Sequence, residues 1–194
     1  MKNIKILVLT LLISVGCKAQ QIVNIHTFNQ GSYSGKYFKD LDNHYDVFVG
    51  TWENTTGNMT FRVVLHKTER MPIGSPTEYY MDRIHGSFLM IENVGTRNER
   101  EIYNSVRYFP QSGQTSENVI IGGSRDGVSM GSFIEDTTIS NTIIPSGILR
   151  GQMTLEILNL NNTPLQARWK VFRKGLSLQG VEFNVPIDII LTKQ

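Results

Sequence analysis

The sequence predicts an all-β protein whose domain is an antiparallel β-barrel of about eight to ten short strands. From residue 50 onward, apolar and polar residues alternate with a period of two, which is typical of strands buried on one face. Turn signals made of Gly, Pro, Asn and Asp separate these runs at near-regular intervals. Because such a series can also form two packed sheets, a β-sandwich is the alternative architecture.

The residues before this series predict little regular structure. Residues 17–36 are rich in Gln, Asn, Ser and Gly and are predicted to form a flexible tether, although 21–28 could add an edge strand. Within 37–48, apolar residues recur at near-helical spacing, which predicts one short N-terminal helix.

The first strands are expected to form a hairpin. A strand that begins at Gly50 is followed by the turn signal Gly57-Asn58, after which residues 59–65 alternate between apolar and polar side chains. Two Pro and one Gly predict a loop at 71–76. The next strands are predicted at 79–92 and 100–109.

The C-terminal half has the same pattern. Asp126-Gly127 is a hairpin signal between the runs 119–121 and 128–134. A turn at 161–164 precedes an alternating run at 165–171, and 187–192 is the last strand. The chain has no visible internal repeat or second domain, so 37–194 is predicted to be a single domain.

The N-terminus has the pattern of a leader for export. Lys2 and Lys5 precede an apolar run at 6–15, which is shorter than the ~20 residues of a membrane-spanning helix. The run is followed by Cys17, the only cysteine, which has no partner for an internal disulfide. We therefore predict a lipoprotein signal peptide over 1–16 and lipid attachment at Cys17. Cleavage after Ala19, which would give a secreted or periplasmic soluble protein, is the alternative.

Charge and the residues after Cys17 refine this prediction. Residues 1–16 contain two basic residues and no acidic one, so their removal leaves equal numbers of basic and acidic residues. A neutral exported domain gives no reason to expect nucleic acid as a partner. Because 18–21 contains no acidic residue, we expect an outer-membrane lipoprotein that faces the periplasm and contacts the membrane through its N-terminal lipid.

The phrase Phe48-Val49-Gly50-Thr51-Trp52 resembles the first strand of the calycin barrels, which are the fatty-acid-binding proteins and the lipocalins. The resemblance implies a structural plug in which Gly50 and Trp52 close one end of the barrel. In lipocalins a basic residue from a late strand stacks on this Trp, and Arg168 is the candidate by position. The C-terminal R-x-Y phrase with which fatty-acid-binding proteins hold a carboxylate is missing, so that site is not carried over.

The whole chain also resembles a family of uncharacterised small lipoproteins from Bacteroidetes. The residues that carry this resemblance are Cys17-Lys18-Ala19-Gln20, the segment 37–42 and Gly50-Thr51-Trp52. The resemblance implies a location in the cell envelope and a fold, but no activity.

No catalytic residue, cofactor or metal site is predicted, and we expect that the protein is not an enzyme. Residues 127–131 match G-x-S-x-G, but a strand-like run follows where the motif needs a helix, and all four His precede Ser129. Acids at 40–46 have calcium-loop spacing without the loop's Gly and final Glu, which leaves open only a weak surface metal site. The His residues form no zinc-ligand motif.

Two functions remain. The first is a binding module that holds a small apolar ligand inside the barrel, with Trp169 as the candidate ligand-binding residue, because barrels of about eight to ten strands can enclose one small ligand. The alternative is a structural or interaction lipoprotein with a filled core and a protein partner on its outer face. An interior cavity distinguishes the two.

Overall fold

The computed structural model describes residues 20–28, 31–109, 114–116, 118–139, 148–172 and 181–194. These residues form β-strands and one turn of 3-10 helix at Ile25–Thr27. In chain order the strands are β1 Ile22–Asn24, β2 Tyr37–Lys39, β3 Gly50–Thr56, β4 Met59–Ile73, β5 Tyr79–Glu92, β6 Arg100–Asn104, β7 Arg107–Phe109, β8 Gln114–Ser116, β9 Ile120–Ser124, β10 Ser129–Asp136, β11 Leu149–Ile157, β12 Gln166–Phe172 and β13 Asp188–Lys193.

Eight of these strands close into an antiparallel barrel, which confirms the predicted architecture. Their order around the barrel is β5-β4-β3-β13-β12-β11-β10-β9, and β9 pairs back to β5. The closing register pairs Ile84 with Gly122 and Gly86 with Ile120. The predicted turns at Gly57-Asn58 and Asp126-Gly127 join β3 to β4 and β9 to β10.

Strand β5 is long enough to pair with three strands along one edge. Its first residues pair with β2, its middle with β9 and its last residues with β6. Strand β1 extends this edge by pairing in parallel with β2, and β7 and β8 form a separate two-stranded ribbon. The described residues before β3 thus form an extension beside the start of β5. This extension, which consists of β1, the 3-10 turn, β2 and the turns after β2, is here called the N-terminal extension.

The barrel interior is filled by the apolar residues of the alternating runs. On the inner face, Val63 of β4 pairs with Trp52 of β3 and with Phe88 of β5. All three side chains are fully buried. Strand β12 alternates strictly, so that its residues 167, 169 and 171 point inward. Each fully buried Leu- or Phe-sized side chain contributes about 1.5–3 kcal/mol relative to exposure, so the interior is the main source of stability.

The short helix predicted at 37–48 is wrong. Tyr37 and Phe38 belong to β2 and pair with Tyr80 and Met81 of β5, and the residues after β2 form turns. The reason is Asp40, whose buried carboxylate accepts hydrogen bonds from the backbone N–H groups of residues 44 and 45. This side-chain-to-backbone bonding competes with helical bonding and stabilises turns.

The loop predicted at 71–76 begins later than expected. Strand β4 continues through Pro72 to Ile73 and pairs with the start of β5 across a register shift between Thr68 and Met71. Arg70, inside this bulge, has a positive φ of 51°. The bulge leaves the residues between Thr68 and Met71 unpaired, and strand pairing continues after it. The Pro and Gly content of this segment alone predicts only a loop.

Part of the predicted tether is folded onto the barrel. Ile22–Asn24 forms β1, and Ile25 belongs to the main hydrophobic core. Cys17 and the predicted leader lie outside the described residues. Over the described ranges, no helix is both long and apolar enough to cross a membrane.

Candidate functional site

A cavity of about 440 Å³ lies on the outer face of the barrel. It runs over β9, β10 and β11, and Ile25 and Phe28 of the N-terminal extension border it. Adjacent outward positions are linked by register: Ile121 pairs with Phe133, Phe133 with Gln152 and Gln152 with Phe172. A second space of about 340 Å³ shares Ile121, Phe133 and Arg83 with it. Together they form an apolar groove, here called the outer groove.

Two glycines that line the outer groove face each other across β9 and β10. Gly123 pairs with Gly131, and both stand at outward positions. A Cβ at Gly131 would meet no atom within 4 Å, so residue 131 borders open space. A Cβ at Gly123 would collide with the hydroxyl group of Tyr45, which covers that position. Larger residues here would fill the groove or displace its wall.

Two guanidinium groups line the 440 Å³ space of the outer groove, whose lining is mostly apolar, whereas Arg150 of the second space is ion-paired with Glu135. Arg83 and Arg125 are lining residues, and neither forms an ion pair with an acidic residue in the described part of the chain. Asp82 is the only acidic residue among those that line this cavity, and its carboxylate is occupied by hydrogen bonds. An apolar space bordered by unpaired cations fits a ligand with an apolar body and an anionic group.

Two buried carboxylates attach the N-terminal extension to the barrel. Asp82 accepts hydrogen bonds from the Tyr37 hydroxyl at 2.6 Å and from the backbone N–H groups of Asp40 and Arg70 at 3.0 Å. Asp40 in turn accepts a hydrogen bond from Nζ of Lys67 at 3.0 Å. Burial, together with the bond to Asp82, raises the pKa of Tyr37 well above its usual range. We call this group the carboxylate junction.

The structure places the predicted plug residues on two sides of the barrel wall. Gly50 has φ of 127°, a backbone conformation that favours glycine, and Trp52 is fully buried inside the barrel. Arg168 lies on the outer face, where its guanidinium pairs with Asp188 at 2.8 Å. The cation over the Trp52 ring is Lys193, whose Nζ lies 5.6 Å from the ring centroid. Burial lowers the pKa of this ammonium group.

Trp169 is a core residue in this structure. Its side chain is fully buried, its ring lies 5.6 Å from that of Phe61, and Nε1 donates a hydrogen bond to the carbonyl of Pro186. It is not among the residues that line the outer groove. A ligand in the groove is therefore not expected to contact Trp169, and the described inner-face residues are packed against one another.

Sequence reasoning missed a cluster of His26, Asp42 and His44 at the N-terminal extension. Their potential metal-ligand atoms all lie within 4.8 Å of one another. Nε2 of His26 lies 2.9 Å from Oδ2 of Asp42, and the Asn24 side chain donates a hydrogen bond to the same oxygen at 2.7 Å. That hydrogen bond lowers the pKa of Asp42. No motif joins these residues, because the 3-10 turn and the turns after β2 bring them together.

One comparison with known proteins identifies a family. A family of unknown function, DUF6705, matches residues 1–194. No curated protein and no solved structure matches the chain. Since the match covers the entire sequence, the chain belongs to the DUF6705 family of unknown function.

Proposed function

We propose that this protein is a membrane-anchored binding protein that takes a small amphipathic ligand, with an apolar body and an anionic group, in the outer groove. The observation that supports the proposal is an apolar cavity of about 440 Å³ bordered by Arg83 and Arg125. This volume lies in the range of about 300–1,000 Å³ that small-molecule sites have. The proposal moves the predicted ligand site from the barrel interior to its outer face.

The geometry of the groove supports ligand binding in two ways. Most of its lining residues belong to paired strands of a closed barrel, so the site is largely formed before the ligand arrives and binding costs little ordering. Phe133 is 64% exposed and borders the groove, so an apolar ligand would remove it from water. Each square ångström of apolar surface removed from water contributes about 25 cal/mol.

Filling the groove should abolish ligand binding while the barrel stays folded. In Gly131→Phe, an aromatic ring would occupy space that is free of other atoms around a Cβ at this position. We expect the dissociation constant for a fluorescent long-chain fatty acid, measured by titration of the purified protein, to rise at least about tenfold, or about 1.4 kcal/mol. The matched control, Gly131→Ala, adds one methyl group and should bind nearly as tightly as wild type.

The two arginines separate the roles of charge and apolar surface. Arg83→Gln and Arg125→Gln should weaken binding of the fatty acid and leave binding of the corresponding alcohol unchanged, because only the acid carries a carboxylate. Equal binding by wild type and Gly131→Phe would show that the ligand lies elsewhere. If neither acid nor alcohol gives a saturable response, the protein is not a binding protein of this kind.

Cys17 is proposed as the membrane anchor. Wild-type protein should sediment with membranes, and Cys17→Ser should be soluble or keep its leader, because the substitution removes the atom that would carry the acyl chains. Stable anchoring needs two or more lipid signals, which a diacylated or triacylated cysteine supplies. Intact-mass measurement checks this directly, and a mature protein that begins at Gln20 without lipid would contradict the proposal. We place the protein in the outer membrane, facing the periplasm.

The alternative is an interaction lipoprotein with a protein partner on its outer face. It is favoured by the closely packed interior and by the exposed apolar side chains of Phe133 and Phe172 in the groove. A Phe133→Ser variant that loses a protein partner but binds fatty acid as wild type does would favour this alternative.

A further inference from the structure

We propose that His26, Asp42 and His44 bind a divalent transition-metal ion of the zinc type. This inference does not depend on the ligand of the outer groove, since the three residues form a separate cluster on the N-terminal extension. Two imidazole nitrogens and one carboxylate oxygen are a common ligand set for zinc, and three protein ligands leave a position for water or another ligand.

The distances between the three side chains suit a shared ion. Their ligand atoms lie within 4.8 Å of one another, and bonds of about 2.0–2.2 Å would place them roughly 3.4 Å apart. The two imidazole rings are nearly perpendicular, with centroids 4.6 Å apart, so they approach a common point without stacking. The three ligand atoms are therefore close to the spacing that one shared ion needs.

One hydrogen bond of the His44 ring indicates its tautomer. Nδ1 of His44 lies 2.9 Å from the carbonyl oxygen of Arg125. Because a carbonyl oxygen can only accept, Nδ1 carries the proton and Nε2 keeps its lone pair for a metal. Metal-binding histidines usually donate their other ring N–H to a carbonyl or carboxylate in this way, which sets the tautomer and the ring orientation.

Asn24 organises the other two ligands. Its Oδ1 accepts a hydrogen bond from the backbone N–H of His26, and its Nδ2 donates one to Oδ2 of Asp42. Nε2 of His26 is buried and lies 2.9 Å from that same oxygen, so these two ligand atoms already face each other. A metal ion bound between them would take the lone pair of the imidazole nitrogen and the charge of the carboxylate in a single site.

The chemistry of the three ligands selects the type of ion. Imidazole nitrogen suits Zn²⁺, Ni²⁺, Cu²⁺ and Co²⁺, whereas Ca²⁺ and Mg²⁺ prefer six or more oxygen ligands. With one carboxylate and two imidazoles, the cluster should discriminate strongly against Ca²⁺ and Mg²⁺. This ligand set differs from the calcium loop that the acids at 40–46 resemble, because Asp42 alone of those acids takes part.

Metal titration of the full-length protein tests the site. Chelator-treated protein without a histidine tag is titrated with Zn²⁺ by calorimetry and with Co²⁺ by visible absorption. We expect one ion per chain, Co²⁺ bands that report mixed nitrogen and oxygen ligands, and a higher melting temperature with Zn²⁺. Asn24→Ala should weaken Zn²⁺ binding roughly 10–100-fold, as the loss of a partner of a ligand does, and His26→Ala and His44→Ala should weaken it more.

Two controls make the result decisive. His66→Ala removes an exposed histidine of β4 outside the cluster and should bind as wild type does. Asp42→Asn keeps the size of the side chain, so its loss of binding with an unchanged far-UV spectrum would show a ligand role rather than unfolding. The proposal is overturned if wild type binds no stoichiometric Zn²⁺, if His26→Ala and His44→Ala bind as wild type does, or if His66→Ala loses binding equally.

Discussion

Substitution of Trp52 by alanine is expected to lower the free energy of unfolding by about 3–5 kcal/mol, the usual cost of truncating a buried aromatic residue. Trp52 is fully buried, and its indole Nε1 donates a hydrogen bond of 2.7 Å to the carbonyl of Phe48. Lys193 lies over the ring and donates a hydrogen bond to the carbonyl of Val47. The truncation would remove apolar contacts, leave one buried carbonyl without its donor and uncover an ammonium group.

Urea denaturation followed by far-UV circular dichroism measures this loss. Trp52→Phe should fall between the alanine variant and wild type, because it keeps most of the apolar volume and loses only the N–H donor. Phe133→Ala is the matched control, since its side chain is 64% exposed, and it should stay within about 0.5 kcal/mol of wild type. If Trp52→Ala unfolds at the same urea concentration as Phe133→Ala, the indole does not stabilise the barrel.

The features that the sequence predicted correctly are those encoded by near neighbours in the chain. The hairpin around Gly57-Asn58 follows from a turn signal between two alternating runs, and the structure has β3 and β4 there in direct register. The inward side of Trp169 follows from the parity of its strand. These patterns depend on only a few consecutive residues, so they can be interpreted without knowing the rest of the fold.

Features that depend on distant residues could not be predicted. The pairing of Ile84 with Gly122 closes the barrel between segments that no local pattern connects. The apolar spacing at 37–48 predicted a helix because the competing bonds of the Asp40 carboxylate are visible only once the turn is folded. The pairing of Gly123 with Gly131 lies within the predicted hairpin around Asp126-Gly127. The fold alone brings Ile25, Phe28 and Tyr45 to the border of the outer groove, and no local pattern connects them to that hairpin.

Removal of the Asp82 carboxylate should have a second large effect. In Asp82→Ala, the hydroxyl of Tyr37 and the backbone N–H groups of Asp40 and Arg70 lose their acceptor. The Tyr37 hydroxyl and the Asp40 N–H are buried, and each buried donor without an acceptor costs about 1–3 kcal/mol, so we expect a total loss of about 3–5 kcal/mol. The carboxylate junction would lose the contacts that attach β2 and its following turns to the barrel.

The position of the carboxylate junction predicts which part of the chain should lose stability first in Asp82→Ala. Asp82 and Tyr45 both line the outer groove, so detachment of the N-terminal extension should open one wall of the groove. Amide hydrogen exchange should therefore accelerate over 37–48 more than over β11 and β12, which lie away from the junction. Asp188→Ala breaks an exposed ion pair with Arg168 and is the matched control, with a far smaller expected change.

A double-mutant cycle with Tyr37→Phe tests the mechanism. The Tyr37 hydroxyl lies 2.6 Å from the Asp82 carboxylate, so the two substitutions remove the same hydrogen bond and their effects should not add. The double variant should be more stable than the sum of the single losses predicts, because a phenylalanine side chain carries no hydroxyl group that could be left unsatisfied. Additive losses, or an exchange pattern that is uniform along the chain, would mean that Asp82 does not hold the extension on the barrel.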